Sequence, residues 1–401
     1  MNAAAWRLTI AAAILMGLIT GGRSAFGLFV SPLNTASGIG LAGLSFALAA
    51  GQLGIGFAQP LVGAIADRFG AARVIVAGAF LLALSTALPA LWPVSMVLML
   101  SLVVSAIAGS AVGSNGLLVG EVGRAMPGAR MGLAVGVIGA GASVGQLLLG
   151  PATQWAIDSH GWAWALVATA LLSLVAVPLA WPFRRAQAQR TVRPSQPVAD
   201  VLREWRFWRV AASFGVCGFH ISFLAVHMPG VIERCGMPAS IAGTWIAVAG
   251  AANIVGSIAI GLALKRYAAG SLLAGVYMLR ALGIAALLLL PTTPEVMIGF
   301  AMVMGISHMA TLPPTSQLIA QQHGVERLGT LFGVVMLVHQ VGAFAGIWFG
   351  GWAAQATGDD TLLWLVDIAL ALTAATLVLP RAVRRASRFT VPAPTTLRAE
   401  T

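Results

Sequence analysis

Charged residues are scarce in this chain of 401 residues: only 9% are Asp, Glu, Lys or Arg, whereas 59% are hydrophobic. Soluble domains carry about 25% charged residues. The low charge content therefore excludes a water-soluble fold and indicates a protein that resides in a lipid bilayer. The formal net charge is +11, but nearly all basic residues fall in short loops between apolar runs, which excludes a nucleic-acid-binding face.

Chemically reactive groups are also few. The two cysteines, Cys217 in an apolar run and Cys235 in a loop, cannot form a disulfide framework and are expected to be free, inert thiols. The sequence contains no phosphate-binding glycine loop, no metal-ligand cluster and no nucleophile–base pair. We therefore expect no metal and no cofactor, and we predict neither an enzyme nor an ATP-driven pump.

Long apolar runs, each bounded by charges or by Pro/Gly turns, make up most of the chain. Runs of about 20 apolar residues cross a bilayer as helices, and these are too long and too uniformly apolar for barrel strands. The sequence therefore predicts an all-α membrane protein with twelve transmembrane helices. The predicted spans are 8–31, 41–66, 74–91, 94–119, 131–156, 162–182, 207–229, 239–264, 271–290, 295–318, 328–353 and 361–380.

Basic residues in the loops are concentrated on one side of these spans. Twenty of them fall on the side of the termini, and one, Arg234, falls on the other side. By the positive-inside rule both termini are predicted to be cytoplasmic, and an even number of spans agrees. We expect a multi-pass protein of the bacterial inner membrane.

One polar segment, 184–206, divides the spans into six and six. Its prolines and arginines, and its lack of an apolar period, predict a solvated cytoplasmic linker. The prediction is therefore a six-helix N-terminal bundle at 1–183, a six-helix C-terminal bundle at 207–380 and a cytoplasmic tail at 381–401.

The fifth and eleventh runs share a pattern at one constant offset. Chance similarity between glycine-rich helices does not explain a match that includes Arg and Trp positions, so we predict two parallel six-helix repeats. A substrate site is expected between such repeats, near the middle of the membrane. The matched positions are Arg130 and Arg327, Gly132 and Gly329, Gly136 and Gly333, Val144 and Val341, Gly145 and Gly342, and Trp155 and Trp352.

The polar turn after the second run resembles the signature loop of the major facilitator superfamily, Gly-x-x-x-Asp-Arg-x-Gly followed by a basic residue. The residues that carry the resemblance are Gly63, Asp67, Arg68, Gly70 and Arg73. It implies the major facilitator fold, a secondary transporter that works by alternating access, and a gating role for this loop. The equivalent turn of the second half has Lys265 in place of Asp67, so only the first half is expected to hold this latch.

Further stretches resemble the bacterial monocarboxylate and oxalate/formate porter-like branch of that superfamily. They are Gly22-Arg23-Ser-Ala-Phe26-Gly27, His160-Gly161-Trp162, Cys217-Gly218-Phe219-His220, Tyr277-Met-Leu-Arg280 and His339-Gln340-Val-Gly342. The resemblance implies a small organic anion as substrate. Eukaryotic members place a basic residue in helix eight, where this sequence has the uncharged Asn253, so their substrate geometry does not transfer directly.

Arg23 is the most informative polar residue inside a predicted span. A charge in a spanning helix costs about 2.5–3.5 kcal/mol on insertion scales, and the first six spans contain no acid that could neutralise it. A carboxylate substrate, bound in bidentate geometry, is the predicted partner. The alternative is that the side chain extends to the membrane interface.

Histidines and amides complete the predicted site. His308 and His339, together with Gln146 and Asn253, are predicted to contact the substrate. His220, His308 and His339 are candidates for a coupling proton, because imidazoles titrate in the physiological range. The alternative for each is a buried neutral ring bonded to a backbone carbonyl. Arg280 and Asp367, in the ninth and twelfth spans, are predicted to form a structural ion pair.

The predicted function is secondary active transport of a small organic anion, coupled to protons by symport, by a protein that acts as a monomer in the lipid bilayer. The alternative is efflux of amphipathic or drug-like compounds by proton antiport. Twelve Trp and fourteen Met, which form pliable apolar walls, favour that alternative. The absence of an arginine from the fourth span, where many proton antiporters carry one, argues against it.

Overall fold

The computed structural model describes residues 3–125, 128–184, 198–324 and 327–379. The predicted tail and residues 185–197 of the predicted linker lie outside these ranges. Within the described ranges, twelve helices are long and apolar enough to cross a membrane. The prediction of an all-α membrane protein with twelve spans is confirmed.

The spans are numbered α1–α12. Because their number is even, both ends of the described chain lie on one side, which we call the terminal side; the other is the opposite side. Within each half, at most five residues separate consecutive spans, whereas the linker lies between α6 and α7. Their bounds are Ala3–Ser37, Leu41–Phe69, Ala71–Leu91, Ser95–Ala125, Gly128–His160, Trp162–Leu179, Trp205–Arg234, Ala239–Ala263, Ala269–Leu289, Pro294–His323, Leu328–Thr357 and Thr361–Val378.

Helices α1, α4 and α10 are interrupted within the membrane. The α-helix of α1 tightens into a 3₁₀ turn at Phe26–Phe29. Helix α4 has one extended residue, Ser114, between Gly113 and Asn115. Helix α10 passes through a 3₁₀ turn at Met309–Thr311. Such interruptions free backbone groups that cannot bond to water in lipid, so they persist where protein or a cavity satisfies them.

Close glycine contacts show the internal repeat in three dimensions. A Cβ added to Gly145 of α5 would lie 1.9 Å from the carbonyl oxygen of Gly17 in α1. A Cβ added to Gly342 of α11 would lie 1.9 Å from the carbonyl oxygen of Gly215 in α7. Only glycine permits backbones to approach so closely. The two halves therefore use the same helix pair and the same glycine positions, as the sequence repeat predicts.

The two bundles are joined on the opposite side. Ala42 N donates to Gln355 Oε1 at 2.8 Å, and Ser31 Oγ lies 3.2 Å from Glu233 Oε1. Apolar side chains of both bundles share one cluster there, including Val226 and Ile347 of the second bundle. On the terminal side the helices are less closely packed at three glycines, Gly63 of α2, Gly136 of α5 and Gly333 of α11. A Cβ added to any of these residues would meet no atom within 4 Å.

Candidate functional site

A cavity of about 240 Å³ lies between the two bundles. Four helices of each half form its walls: α1, α2, α4 and α5 from the first, and α7, α8, α10 and α11 from the second. The interruptions of α4 and α10 border it at Ser114 and Met309. Broken helices around a central cavity are typical of transporter binding sites. The polar lining residues are Thr20, Arg23, Ser24, Gln52, Gln59, Ser114, Gln146, Cys217, Ser222, His308, Thr311, His339 and Gln340.

Arg23 lines this cavity and is exposed within it. Its Nη2 donates a hydrogen bond of 2.7 Å to Oε1 of Gln52 in α2. Among the described residues, no acidic side chain forms an ion pair with it. The side chain lies in the cavity, and its contact with a substrate stays a prediction. Its charge is therefore held inside the protein by a neutral amide and faces open space.

Gln146 lies on the same wall as Arg23. Its Nε2 donates to Ser24 Oγ at 2.8 Å, while its Oε1 is buried without a partner among the described residues. Helix α5 brings the amide close to α1 because Gly145, the residue before it, packs directly on Gly17. The amide therefore has an unused acceptor at the cavity wall.

Two imidazoles form part of the facing wall. His308, where the first half of α10 ends, and His339 of α11 are both half-buried and line the cavity. The His339 ring packs 4.9 Å from the ring of Phe214, centroid to centroid. On the same wall, Cys217 Sγ lies 3.2 Å from Thr311 Oγ1. Within the described ranges, His, Cys, Asp and Glu side chains form no group of three that could hold a metal ion.

Asn253 has a different place from the predicted one. It is fully buried and does not line the cavity. Its Oδ1 accepts from Met309 N at 3.0 Å, and its Nδ2 donates to Ser143 Oγ at 3.0 Å. The prediction that it orients the ligand is therefore wrong. The interruption of α10 leaves the Met309 N–H without a helical acceptor, and Asn253 satisfies that group instead.

Arg280 and Asp367 do not form the predicted ion pair. The guanidinium of Arg280 donates from Nε to Ser307 Oγ at 3.1 Å and from Nη2 to Ser307 O at 2.7 Å. The carboxylate of Asp367 lies against His220 instead, with Nε2 of the imidazole 2.9 Å from Oδ1. The physical reason is again the interruption of α10, because its free carbonyls attract the cation. The prediction of this pair is corrected accordingly.

His220 and His227 lie on α7, but neither lines the cavity. Both rings are buried. His227 Nε2 is 2.8 Å from Ile347 O, the ordinary arrangement of a buried neutral imidazole. His220 differs because its neighbour is an acid.

The turn between α2 and α3 lies on the terminal side, away from the cavity. Gly70 ends α2 with a φ of +94°, which a glycine adopts without strain, and its N–H bonds to Ala66 O. Asp67 and Arg68 are exposed, and Arg73 Nη1 donates to Phe69 O at 3.3 Å. The geometry of a tight polar turn at Gly70 is as predicted, and its gating role stays a prediction.

The described end of the linker is tied to the start of α11. Arg327 Nη1 donates to Asp200 Oδ2 at 2.8 Å. This hydrogen bond holds the pKa of the Asp200 carboxyl below its ordinary value. Both side chains are partly or wholly exposed, so screening by solvent keeps the contribution to stability small.

Four of the five substrate-contacting residues predicted from the sequence line this one cavity: Arg23, Gln146, His308 and His339. The sequence prediction did not include Gln52, the hydrogen-bond partner of Arg23. Gln52 and Gln59 are seven residues apart in an apolar helix and therefore share one face. That spacing is the signal that could have identified them.

Comparison with known proteins agrees with this architecture. The Major Facilitator Superfamily profile matches residues 12–347. Monocarboxylate transporter 13 of Bos taurus is 24% identical over 368 residues, which cover 90% of this chain and 85% of that protein. The uncharacterized MFS-type transporter YcxA of Bacillus subtilis (strain 168) is 26% identical over 242 residues, 55% of this chain and 57% of that protein.

Solved structures show the same fold at low sequence identity. A D-xylose-proton symporter superposes with a TM-score of 0.76 at 14% identity, covering 93% of this chain and 97% of that one. The nucleoside transporter NupG superposes with a TM-score of 0.75 at 13% identity, covering 94% and 98%. Together with twelve spans, the paired glycine contacts and the central cavity, these matches identify the chain as a transporter and not an enzyme. The chain belongs to the major facilitator superfamily.

Proposed function

We propose that this transporter is a secondary carrier of a small organic anion of the monocarboxylate class, located in the bacterial inner membrane. The observation that carries the proposal is the exposed guanidinium of Arg23, whose hydrogen-bond partner is the neutral Gln52 amide. A carboxylate binds a guanidinium through two parallel hydrogen bonds and supplies the opposite charge. The monocarboxylate transporters 13 of cattle and rat, each matching 90% of the chain, support this substrate class.

The way in which the bundles meet supports transport by alternating access. They are joined on the opposite side through Ala42–Gln355 and Ser31–Glu233. If the arginine-rich terminal side is cytoplasmic, the described conformation is closed towards the outside. Rocking of the bundles about the central cavity would then expose Arg23 to each side in turn. We propose proton symport by a monomer, because a proton that enters with an anion cancels the charge moved across the membrane.

Efflux of amphipathic compounds by proton antiport is the second candidate. One observation favours it: Met16, Met304, Met309 and Met336 line the cavity together with Trp245. Methionine walls adapt to guests of different shapes. An uncharged guest would gain nothing from Arg23, and this difference separates the two candidates.

The experiment compares Arg23→Gln with Arg266→Gln, an equal loss of charge at an exposed residue between α8 and α9. Proteoliposomes are tested for uptake of radiolabelled acetate, propionate and lactate, and for transport of neutral amphipathic dyes. We expect Arg23→Gln to lose carboxylate uptake by about tenfold to a hundredfold, because a hydrogen bond to a charged group contributes about 1.5–3 kcal/mol. Arg266→Gln should resemble the wild type. Dye transport without carboxylate uptake in the wild type would establish the second candidate instead.

A further inference from the structure

The single acid in the core of the described C-terminal bundle sits beside a histidine, away from the cavity. His220 of α7 and Asp367 of α12 are both 0% exposed, and Nε2 lies 2.9 Å from Oδ1. The same nitrogen is 3.1 Å from the Asp367 carbonyl oxygen. We infer that this His220–Asp367 dyad is the site where the transporter binds its coupling proton. The inference rests on the proposed proton symport and assigns the proton to a place separate from the substrate cavity.

The hydrogen bonding of the dyad is incomplete. Neither carboxylate oxygen of Asp367 has a hydrogen-bond donor among the described residues, because the His220 Nε2 bond goes to the Asp367 backbone carbonyl, and Nδ1 of His220 has no partner. A buried ion pair that only stabilises a fold needs its remaining lone pairs and protons satisfied to offset desolvation. The dyad has free positions on both members, so a proton can be added or removed without displacing another protein group.

A matched histidine on the same helix shows the contrast. His227 lies seven residues further along α7 and is also buried. Its Nε2 bonds to the Ile347 carbonyl, and its ring stacks on Phe223 at 5.4 Å. The acid nearest to this ring, Asp360, is already paired with Arg234, so we assign His227 a structural role. His220 is thus distinguished by its acid and not by burial or by its helix.

The charges in the membrane core balance when a proton and an anion enter together. The described ionisable groups there include two arginines, Arg23 and Arg280, and the acid of the dyad, Asp367. Binding of a carboxylate at Arg23 removes one unit of net positive charge, and binding of a proton at the dyad restores it. Joint binding therefore leaves the buried net charge of the protein unchanged, whereas either ligand alone alters it in a low-dielectric region.

Helix α7 provides the physical connection between the two sites. Cys217 and Leu224, about one turn on either side of His220, line the cavity. The same helix meets the other bundle where Gly27 of α1 approaches Ala225 O; a Cβ there would lie 2.2 Å from that oxygen. The dyad ties α7 to α12, so a change in its protonation alters how firmly the C-terminal bundle holds this interface helix.

Three other titratable or charged groups on the helices around the dyad have hydrogen-bond partners outside it. Tyr277 donates to Ser213 O, Arg280 bonds to Ser307, and Arg23 bonds to Gln52. The span of α12 contains no second ionisable residue. In the interior of the packed helices the described set is Arg23 on α1, Cys217 and His227 on α7, Tyr277 and Arg280 on α9, His308 on α10 and His339 on α11. Nearer the ends of these helices lie Arg7 on α1, Arg206, Arg209, Glu233 and Arg234 on α7, and Glu295 and His323 on α10.

The test compares Asp367→Asn and His220→Gln with the control His227→Gln. Each is reconstituted in proteoliposomes and assayed with radiolabelled acetate, propionate and lactate for two activities. One is counterflow, which needs substrate exchange only, and the other is accumulation driven by an imposed pH gradient. We expect Asp367→Asn and His220→Gln to keep counterflow and to lose gradient-driven accumulation and its rise at acidic external pH. His227→Gln should keep both.

The outcomes distinguish failure of the proposed function from failure of the dyad assignment. If the wild type shows no carboxylate counterflow, the proposed function fails. If it shows counterflow and the Asp367→Asn variant still accumulates substrate on a pH gradient, only the dyad assignment is overturned. If the wild type shows counterflow but accumulates nothing on a gradient, the proposed proton symport fails and the dyad assignment fails with it. Should both dyad variants fail to fold, infrared difference spectra of the wild type between about pH 5.5 and 7.5 decide. Changed bands of a buried carboxyl or imidazole support the assignment, and unchanged bands contradict it.

Discussion

Nη2 of Arg23 lies 2.7 Å from Oε1 of Gln52, so the positive charge inside α1 is held in place by a neutral amide and not by a carboxylate. An amide orients the guanidinium without neutralising it. A carboxylate at this position would complete an ion pair within the protein and leave little attraction for a ligand. The choice of partner therefore decides whether the cavity attracts anions.

Replacing that amide by an acid is the sharpest test of this relationship. Gln52→Glu should place a carboxylate beside Arg23 and suppress carboxylate uptake, although Arg23 itself is unchanged. Gln59→Glu is the matched control, because Gln59 lies on the same face of α2 and lines the cavity without a bond to Arg23. The measurement is the initial rate of uptake in proteoliposomes. Equal rates for Gln52→Glu and the wild type would show that Arg23 does not bind the substrate.

The paired glycine contacts predict where a single methyl group is not tolerated. Gly145→Ala and Gly342→Ala would each bring a Cβ to 1.9 Å from a carbonyl oxygen of the neighbouring helix, and such overpacking costs about 1–3 kcal/mol or more. Both variants should lower the thermal unfolding temperature in detergent. Gly136→Ala and Gly333→Ala, which meet no atom within 4 Å, are the controls. Similar unfolding temperatures for all four would contradict the described packing.

Substitution of Asn253 is expected to lower the stability of the fold without removing a contact to the substrate. Asn253→Ala removes the acceptor of the Met309 N–H and the donor to Ser143. Leaving a buried backbone donor unsatisfied costs about 1–3 kcal/mol. Ser143→Ala removes only the second bond and should cost less. Thermal unfolding of both variants checks this order, and a more stable Asn253→Ala variant would refute the assigned role.

Arg280 and Asp367 can be tested for independence. Because Arg280 bonds to Ser307 and Asp367 lies against His220, the Arg280→Gln and Asp367→Asn changes should have nearly additive effects on unfolding. Arg280→Gln and Ser307→Ala should be coupled, since residues in one hydrogen-bond network show interaction energies of about 0.5–3 kcal/mol. A double-mutant cycle on each pair gives the answer. Strong coupling between Arg280 and Asp367 would contradict the described contacts and support the ion pair predicted from the sequence.

Apolar run length was enough to predict the twelve spans, because the bilayer requires about 20 apolar residues in each spanning helix. The constant offset between the halves was enough to predict the repeat. The cavity location of Arg23 and Gln146 followed from the cost of a polar group in lipid. The interruption of α10 was missed, although the sequence carries a signal for it: Pro313 and Pro314 lack the N–H groups that would bond to the carbonyls of Met309 and Ala310. The roles of Asn253 and Arg280 depend on that interruption, so both were misassigned.

The most direct test of the central claim compares carboxylates with uncharged molecules of the same shape. Counterflow of acetate, propionate and lactate is measured in proteoliposomes beside acetamide, propionamide and lactamide, with the wild type and with Arg23→Gln. The account predicts that the wild type exchanges at least one carboxylate and rejects its amide, and that Arg23→Gln loses this preference. Equal exchange of an acid and its amide by the wild type, or an unchanged preference in Arg23→Gln, would contradict it.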